Sequence, residues 1–421
     1  MSNHKDPTAS AIKDHIPSPA PQFLLLGGDL QSNMGDRCIR AALIHLIRSS
    51  TPEARFVCWS KTPERDTQDF GVEVVGSNGF SLLTGFRKLR RVDGVIWGGG
   101  QLLQDDTSLL KNMYWAVVLG WVRWVLRKPI IGVGVGIGPL QRRAGIFFAR
   151  SALLNLSGCV ARDPESLAWI ESLTRKRVPA ELAVDMALFL PPAPDTVATN
   201  YLRQTGGPSP APDEIVIGVA VRRWFHLKRN PILPYQWHAW LRRTPAADND
   251  HMETFIQELS TALRRFGEAH KVRLLFFPMA RMAWESDVRL SEKIAAQSGL
   301  PSHVLPMDCD PATVKALTAS CTIMVTMRMH AAILAAGMHV PPITLSHTPK
   351  SVYFHQILGL EDWVLDMQDL SVPGGGDAIY RMLNRAIADH KHLTAHLTER
   401  IAELNRDKDC YARILRHPFR T

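Results

Sequence analysis

Short apolar runs alternate with helical patterns along both halves of the 421-residue chain, and this alternation limits the folds that the chain can adopt. The strand-like runs are residues 23–27, 55–59, 72–75, 94–97, 129–135, 160–163 and 182–185 in the first half and 215–221, 272–277 and 321–326 in the second. Strands that alternate with helices pair in parallel through crossover connections. The sequence therefore predicts an α/β fold with parallel sheets.

Length and proline content predict how the chain is divided. A single domain usually has about 100–200 residues, so 421 residues favour two domains. Prolines and glycines concentrate in residues 191–213, which is the best candidate for a linker. The predicted parts are a flexible N-terminal segment 1–22, an α/β domain 23–190, the linker 191–213, a second α/β domain 214–375 and a C-terminal helical segment 376–421. We expect two Rossmann-like domains that face a cleft.

Charge distribution indicates the class of partner, and cysteine content indicates the cellular compartment. The formal net charge is +9, but the basic residues are scattered in pairs instead of being gathered on one helix with base-stacking aromatics, so nucleic acid is not an expected partner. The six cysteines show no CxxC pair, which indicates reduced thiols in a cytoplasmic protein. Residues 1–22 lack the apolar core of a secretory signal.

Residues 114–126 form an apolar helical pattern with three tryptophans, Trp115, Trp121 and Trp124, followed by Arg127 and Lys128. The segment is too short to span a bilayer, which needs about 20 apolar residues. It is either a helix buried on the first sheet or a helix that lies in the membrane interface. Burial is favoured because it is the commoner state of such a run, and peripheral contact with the inner face of the membrane stays open.

The strongest functional signal is the segment 327–337, where a predicted strand gives way to a close-packed helix. Arg328 and His330 lie at this junction. In open α/β sheets, ligands bind at the carboxyl ends of strands, and the start of a helix offers backbone N–H groups suited to phosphate or carboxylate. We therefore expect an anionic substrate. A lone histidine is more often a core residue, but the spacing of two from Arg328 favours a functional role for His330.

Further candidates follow other predicted strands. Arg222 ends the run 215–221, where an arginine is suited to bidentate anion binding. Arg162 also ends a strand, although an adjacent Arg162-Asp163 pair is more often a structural salt bridge.

Two glycine-rich loops complete the set of candidates. In the first, Asn33 and Asp36 can either bind hydroxyl groups or cap the next helix. In the second, Gly99 and Gly100 allow either a tight turn or the close approach of a ligand. The first loop lacks the Lys-Ser/Thr of a P-loop and the spacing of a dinucleotide fingerprint, so neither an ATPase nor a dehydrogenase is indicated.

Taken in order, these motifs resemble those of the polysaccharide pyruvyl transferase family. The resemblance covers residues 23–360 and depends on the series more than on any single motif. The motifs are the loop 28–36, the runs 93–100, 134–139, 161–166, 183–185 and 218–222, and Arg328-Met329-His330 followed by Lys350. Members of this family are similar in architecture to glycosyltransferase B enzymes and use phosphoenolpyruvate to place a pyruvate ketal on a sugar.

The resemblance implies roles for the candidate residues. Phosphoenolpyruvate carries a carboxylate and a phosphate, which Arg222, Arg328 and Lys350 would bind. His330 would act as general acid or base, since imidazole titrates near neutral pH. The acceptor would be a glycan or lipid-linked sugar of cell-surface polysaccharide synthesis. No cofactor and no metal are expected, because arginines can offset the charge of the leaving group. The residues expected to contact the acceptor are Asn33, Asp36, Gly99, Gly100 and Arg162.

Two other functions stay open, and so does the oligomeric state. A nucleotide-sugar-dependent glycosyltransferase of the glycosyltransferase B type would need an acidic residue for the ribose near the Arg328 turn, and no convincing one is found there. A non-catalytic glycan-binding protein on the same fold would not need His330 together with Arg328 and Arg222.

Overall fold

The computed structural model describes residues 20–60, 62–74, 88–105, 108–207, 211, 213–224, 249–282 and 285–416. Residues 1–19 of the predicted N-terminal segment lie outside these ranges, as do Pro208, Pro210 and Pro212 of the predicted linker. The described chain forms two parallel sheets with helices packed against them, which confirms the predicted α/β class.

The first sheet contains eight strands. They are β1 (Gln22–Leu26), β2 (Arg55–Cys58), β3 (Glu73–Val74), β4 (Gly94–Gly98), β5 (Gln101–Leu103), β6 (Ile130–Ile137), β7 (Gly158–Ala161) and β8 (Ala180–Leu182). Their order is β3-β2-β1-β4-β6-β7-β8, with β5 paired to the end of β6. The order reverses between β1 and β4, so both glycine-rich loops leave the sheet at its topological switch point, where such folds form a crevice.

The second sheet is also parallel, and its strand order also reverses at one point. Its strands are β9 (Ile215–Ala220), β10 (Val272–Phe276), β13 (Ser302–Val304), β14 (Ile323–Thr326), β15 (Pro342–Ser346) and β16 (Val364–Asp366), and β11 (Arg281–Met282) pairs with β12 (Glu285–Ser286) in a separate antiparallel hairpin. The order is β13-β10-β9-β14-β15-β16. Here the switch point lies between β9 and β14, whose last residues Ala220 and Thr326 are paired. Arg222 and Arg328 therefore follow neighbouring strands at one crevice.

Helices connect the strands. They are Met34–Ser50, Pro63–Phe70, Leu109–Trp121 with its π-helical continuation Val122–Leu126, Arg143–Leu153, Pro164–Thr174, Asp195–Gln204, Asn249–Ala269, Asp287–Ser298, Pro311–Thr318, Met329–Ala336, Pro349–Leu358, Met367–Leu370, Gly376–Ala388, His390–Leu404 and Lys408–Arg416. Proline opens several of them, where its missing N–H has no intrahelical partner in any case. Within the described ranges, no helix is both long and apolar enough to cross a bilayer.

Several predicted elements differ from the observed ones. The predicted linker contains the helix Asp195–Gln204, because the prolines at 191, 192 and 194 precede the helix and none interrupts it. The predicted strand 182–185 ends at Leu182, and Asp185 instead caps a 3-10 turn by accepting a hydrogen bond from the backbone N–H of Ala187 at 3.0 Å. All six cysteines are free thiols, as expected.

The helix Lys408–Arg416 packs on the first sheet although it follows the second in sequence. Tyr411 is completely buried, and its hydroxyl donates a hydrogen bond to the carbonyl of Val184 at 2.7 Å. The backbone N–H of Val184 donates to Asp407 at 2.7 Å. The chain thus returns to brace the loop that carries Asp185.

The two sheets face each other through the carboxyl ends of their strands. The loop after β1 is bonded to the segment after β10, since the N–H of Met34 donates to Met279 at 2.9 Å and the N–H of Arg281 donates to Ser32 at 3.0 Å. Asn33, between these bonds, forms a bridge with Ala280. The predicted cleft therefore exists, and the first loop helps to close one end of it.

Candidate active site

A histidine and a carboxylate from opposite sheets meet in the cleft. His330 lies in the first turn of the helix Met329–Ala336, and its Nε2 is 3.7 Å from Oδ2 of Asp185. Within the described part of the chain, this buried Nε2 has no hydrogen-bond partner. A closure of a few tenths of an ångström would turn the contact into a hydrogen bond. The pair is arranged as a base with an orienting carboxylate.

Asp185 is held in its charged form. Burial by itself raises the pKa of this carboxyl, but the contact with His330 and the charges of His330 and Arg162 outweigh burial and lower the pKa to about 2. Nη1 of Arg162 lies 3.2 Å from Oδ2 of Asp185. A fixed negative charge next to an imidazole fixes the orientation of the ring.

The glycine loop of the first sheet packs against the same histidine. A methyl group added to Gly35 would lie 2.2 Å from Nδ1 of His330, so the close approach requires glycine. The next residue, Asp36, accepts a hydrogen bond from the backbone N–H of Asp29 at 2.6 Å. Burial raises the pKa of Asp36, although the charges of His330 and Arg162 oppose this rise. The site therefore contains two carboxyl groups whose proton affinities are shifted in opposite directions.

The other first-sheet candidates have mainly positioning roles in the observed geometry. Asn33 caps the helix Met34–Ser50 by accepting a hydrogen bond from Gly35 at 2.9 Å. Gly99 and Gly100 both have a φ of 85°, which L-residues rarely adopt, and they turn the chain between β4 and β5. A methyl group on Gly100 would lie 2.9 Å from Oδ1 of Asp36, so this turn leaves room for the carboxyl group.

At the switch point of the second sheet, Arg328 is tied to an aspartate that the sequence did not single out as a ligand. Its Nε donates to Oδ2 of Asp287 at 3.0 Å and its Nη2 donates to Oδ1 at 2.6 Å. Asp287 is fully buried and also accepts a hydrogen bond from the N–H of Ala280 at 2.9 Å. Two of the guanidinium donors that were expected to bind an anion are therefore already used for this ion pair.

Arg222 points toward the same place. Its guanidinium lies 5.4 Å from the ring centre of Trp224, whose ring is 4.1 Å from that of His347. Burial lowers the pKa of His347 to about 3, and the positive charges of Arg222 and Arg328 contribute to the shift. The histidine is thus neutral near pH 7, and both arginines are close enough to repel its protonated form.

A cleft of about 950 Å³ lies beside Trp224 and His347. Its walls include Asp163 and Glu165 from the first half and Trp224, His347 and Lys350 from the second. The Nζ of Lys350 donates to the carbonyl of Ile137 at 3.1 Å and lies 3.8 Å from Asp163. A space of this size accommodates a small anion together with a sugar.

The candidates fall into two clusters, and Asp163, next to Arg162 of the first, shares the cleft wall with His347 of the second. One contains His330, Arg162 and Asp36 together with Asp185. The other contains Arg222 and Arg328 together with His347 and Asp287. Nε of Arg162 is 4.0 Å from Oδ2 of Asp163, the carboxylate next to Lys350, so the first cluster adjoins the cleft wall. Asp185 was visible in the sequence as the acidic end of the motif 183–185, whereas nothing in the sequence marked His347.

Replacing His347 by glutamine should remove a pH-dependent loss of stability. The folded protein resists protonation of this histidine down to about pH 3, whereas the unfolded chain takes up the proton near pH 6.5. Stability is therefore lost as the pH falls below 6.5, by roughly 2 kcal/mol at pH 5. Denaturant unfolding at pH 7 and pH 5 should show this loss in the natural chain and in the exposed control His392→Gln, but not in His347→Gln. An equal loss in all three proteins would contradict the burial of His347 between two cations.

Comparisons with known proteins agree with this architecture. A family model described as polysaccharide pyruvyl transferase matches residues 33–349. No curated protein sequence matches the chain. Among solved structures, the chain is similar to a UDP-GlcNAc 2-epimerase from Neisseria meningitidis bound to UDP-GlcNAc, with 10% identity over 94% of this chain and 99% of that chain and a TM-score of 0.55.

Two further structures show the same likeness. A putative UDP-N-acetylglucosamine 2-epimerase from Listeria monocytogenes has 14% identity over 91% of each chain and a TM-score of 0.53. Anabaena Alr3699/HepE in complex with UDP and glucose has 12% identity over 94% of this chain and 99% of that chain and a TM-score of 0.55. At such identities the likeness is one of fold, and it confirms the expected two-sheet architecture resembling glycosyltransferase B.

The family match, in contrast, extends over the residues of the site. It begins at Asn33 and ends one residue before Lys350, and it includes Asp185, Arg222 and His330. It covers most of the chain and agrees with the resemblance seen in the ordered motifs. The chain belongs to the polysaccharide pyruvyl transferase family.

Proposed function

We propose that the protein transfers pyruvate from phosphoenolpyruvate to two hydroxyl groups of one sugar, as a ketal, and releases phosphate. The sugar belongs to a cell-surface glycan or to its lipid-linked precursor. The observation that carries the proposal is that Arg222 and Arg328 follow neighbouring strands at the switch point of the second sheet, where His330, two residues after Arg328, contacts Asp185 from the first half. The free state of all six cysteines supports a cytoplasmic location.

Phosphoenolpyruvate binds in this proposal on the side of the second sheet. Arg222 and Lys350 contact its carboxylate and phosphate, since both lie beside the cleft. Arg328 is held in place by Asp287 and contributes its charge from a fixed position. Positive charges that are already ordered stabilise the departing phosphate without reorganisation during the reaction.

The reaction needs protons to move in both directions. The enol methylene gains one proton and becomes a methyl group, while one sugar hydroxyl loses its proton and adds to the neighbouring carbon. The C–O bond to phosphate then breaks, a second hydroxyl adds to the same carbon, and its proton ends on phosphate. His330 is the group proposed to move these protons, with Asp185 holding its ring.

The acceptor sugar is proposed to bind on the side of the first sheet. Asp36 and Arg162 offer a hydrogen-bond acceptor and a donor beside His330. Asn33, Gly99 and Gly100 shape the loops around them. The raised pKa of Asp36 makes its carboxyl group a better acceptor for a hydroxyl proton than an ordinary aspartate.

Calorimetric titration with phosphoenolpyruvate and with a panel of nucleotide sugars tests the proposal. We expect phosphoenolpyruvate to bind and Arg222→Ala to weaken its binding by about 10–100-fold, because a charge-assisted contact is lost. Arg177→Ala, which removes an exposed arginine that does not line the cleft, is the control. If a nucleotide sugar binds and phosphoenolpyruvate does not, the proposed function changes from pyruvyl transfer to glycosyl transfer. Phosphate release that depends on a sugar acceptor would support the transfer reaction itself.

A further inference from the structure

Two packed helices of the first half expose an unusual amount of apolar surface. Of the twelve large hydrophobic side chains that are exposed in the described part of the chain, eight lie on the helical segment Leu109–Trp121, its continuation Val122–Leu126 and the helix Arg143–Leu153 with the residue after it. They are Met113, Tyr114, Val117, Trp121, Trp124, Val125, Phe147 and Leu154. We call this set the apolar face. Trp124 is 75% exposed and Val117 is 65% exposed.

The apolar face is separate from the core contacts of the same helix. Trp115, Leu119, Val122 and Leu126 are buried on the first sheet, whereas positions 114, 117, 121 and 124 form a second stripe with the same helical spacing. A helix that is apolar on all sides is normally covered on all sides. The sequence left open whether this helix is buried or lies in a membrane interface. The structure shows that one stripe is buried and that the other faces outward.

The charges on the segment that carries the apolar face have one sign. No aspartate or glutamate occurs between Ser108 and Arg162, while eight lysines and arginines occur there, Arg162 included. Arg123 is exposed between Trp121 and Trp124, and Arg143 and Arg150 share the helix face of Phe147 and Leu154. Such a surface is complementary to one that is apolar inside and negative at its edge.

We propose that this apolar face docks the protein on a bilayer that contains anionic lipids. The tryptophans, Val117 and Phe147 would enter the boundary between headgroups and acyl chains, where aromatic side chains are favoured. Arg123, Arg143 and Arg150 would contact lipid phosphates. A protein partner could supply apolar surface as well, but a stretch of more than fifty residues without one carboxylate favours a uniformly negative surface.

Docking by this face would bring the proposed acceptor side of the cleft near the membrane. The Nζ of Lys111, in the first turn of the exposed helix, donates to the carbonyl of Gln101 at 2.7 Å, and the side chain of Gln101 donates to the carbonyl of Gly138. Gly138 in turn packs on Glu165 of the cleft wall. This consequence rests on the proposed function, whereas the docking itself does not.

Vesicle co-sedimentation of the full chain tests the docking. With vesicles of phosphatidylcholine containing phosphatidylglycerol, the partition coefficient of the triple variant V117Q/W124Q/F147Q should fall by at least about tenfold. The control W59Q/V197Q/V372Q changes three exposed apolar side chains of the same residue classes outside the apolar face and should bind like the natural chain. Equal binding by all three proteins would overturn the proposal, whatever the catalytic activity turns out to be.

The charges are tested separately. Binding should weaken in vesicles of phosphatidylcholine alone, in high salt and in the variant R123Q/R150Q, because all three remove attraction to lipid phosphate. Sedimentation velocity without lipid measures self-association, and so tests whether a second copy of the chain covers the apolar face instead of a bilayer. Self-association that the triple variant abolishes, together with no vesicle binding by the natural chain, would replace the bilayer by a dimer interface.

Discussion

Replacing His330 by alanine is expected to lower kcat by about 10²–10⁴-fold while the affinity for phosphoenolpyruvate changes little. The range is the usual contribution of a positioned acid or base, and the donor is proposed to be bound by other residues. His330 fills a space against Gly35 and is packed between the two sheets, so the folded state of the variant is checked by circular dichroism and thermal unfolding. Acceptor-dependent phosphate release in single-turnover and steady-state assays measures the effect.

The control and the companion variant sharpen this test. His392→Ala removes an exposed histidine and should keep full activity. Asp185→Asn keeps the shape of the orienting group but removes its charge, so it should lose activity at an unchanged donor affinity. Near-normal turnover in His330→Ala would remove this residue from the mechanism, and normal turnover in Asp185→Asn would leave His330 acting without its carboxylate.

Replacing Asp287 by alanine is expected to destabilise the protein by about 3–5 kcal/mol. The substitution leaves the guanidinium of Arg328, whose side chain is 13% exposed, without its bidentate partner in a buried setting. It also takes the hydrogen-bond acceptor from the N–H of Ala280, in the segment that is bonded to the loop of Asn33. Denaturant unfolding measures the effect.

Two further variants separate the ion pair from general damage to the fold. The double variant D287L/R328M removes both charges and should recover a large part of the stability, since two apolar side chains can replace a buried ion pair. It should still bind phosphoenolpyruvate less tightly, because one cation of the cleft is gone. Asp377→Ala breaks an exposed pair with Arg265 and should shift the unfolding midpoint far less. A loss in Asp287→Ala as small as in this control would show that the buried pair contributes little.

The sequence was sufficient to place residues whose location follows from their position after a predicted strand. Apolar runs mark buried strands, and parallel strands present their carboxyl ends on one edge, so Arg222, Arg328 and the glycine loops could be assigned to the crevice from their positions alone. The helix Asp195–Gln204 is an element that proline and glycine content did not predict. Prolines in this region mark where a helix begins, which the sequence alone did not distinguish from a linker.

The sequence was not sufficient for residues whose environment depends on tertiary pairing. The partner of Arg328 is Asp287, a residue that also stands at a helix N-terminus, where a carboxylate is common for local reasons. The partner of His330 is Asp185, which comes from the other sheet. The neutrality of His347 results from burial and two cations that converge only in the folded protein.

The brace on the Asp185 loop has a consequence for the order of folding during synthesis. Tyr411 supports Val184 from 227 residues further along the chain, so the first sheet leaves the ribosome long before the helix that completes it. N-terminal domains commonly fold as units while the rest of the chain is being made. Here the first half can form its sheet early, but the carboxylate that faces His330 gains its support only after the second half has been synthesised. Assembly of the candidate active site therefore requires both halves of the chain.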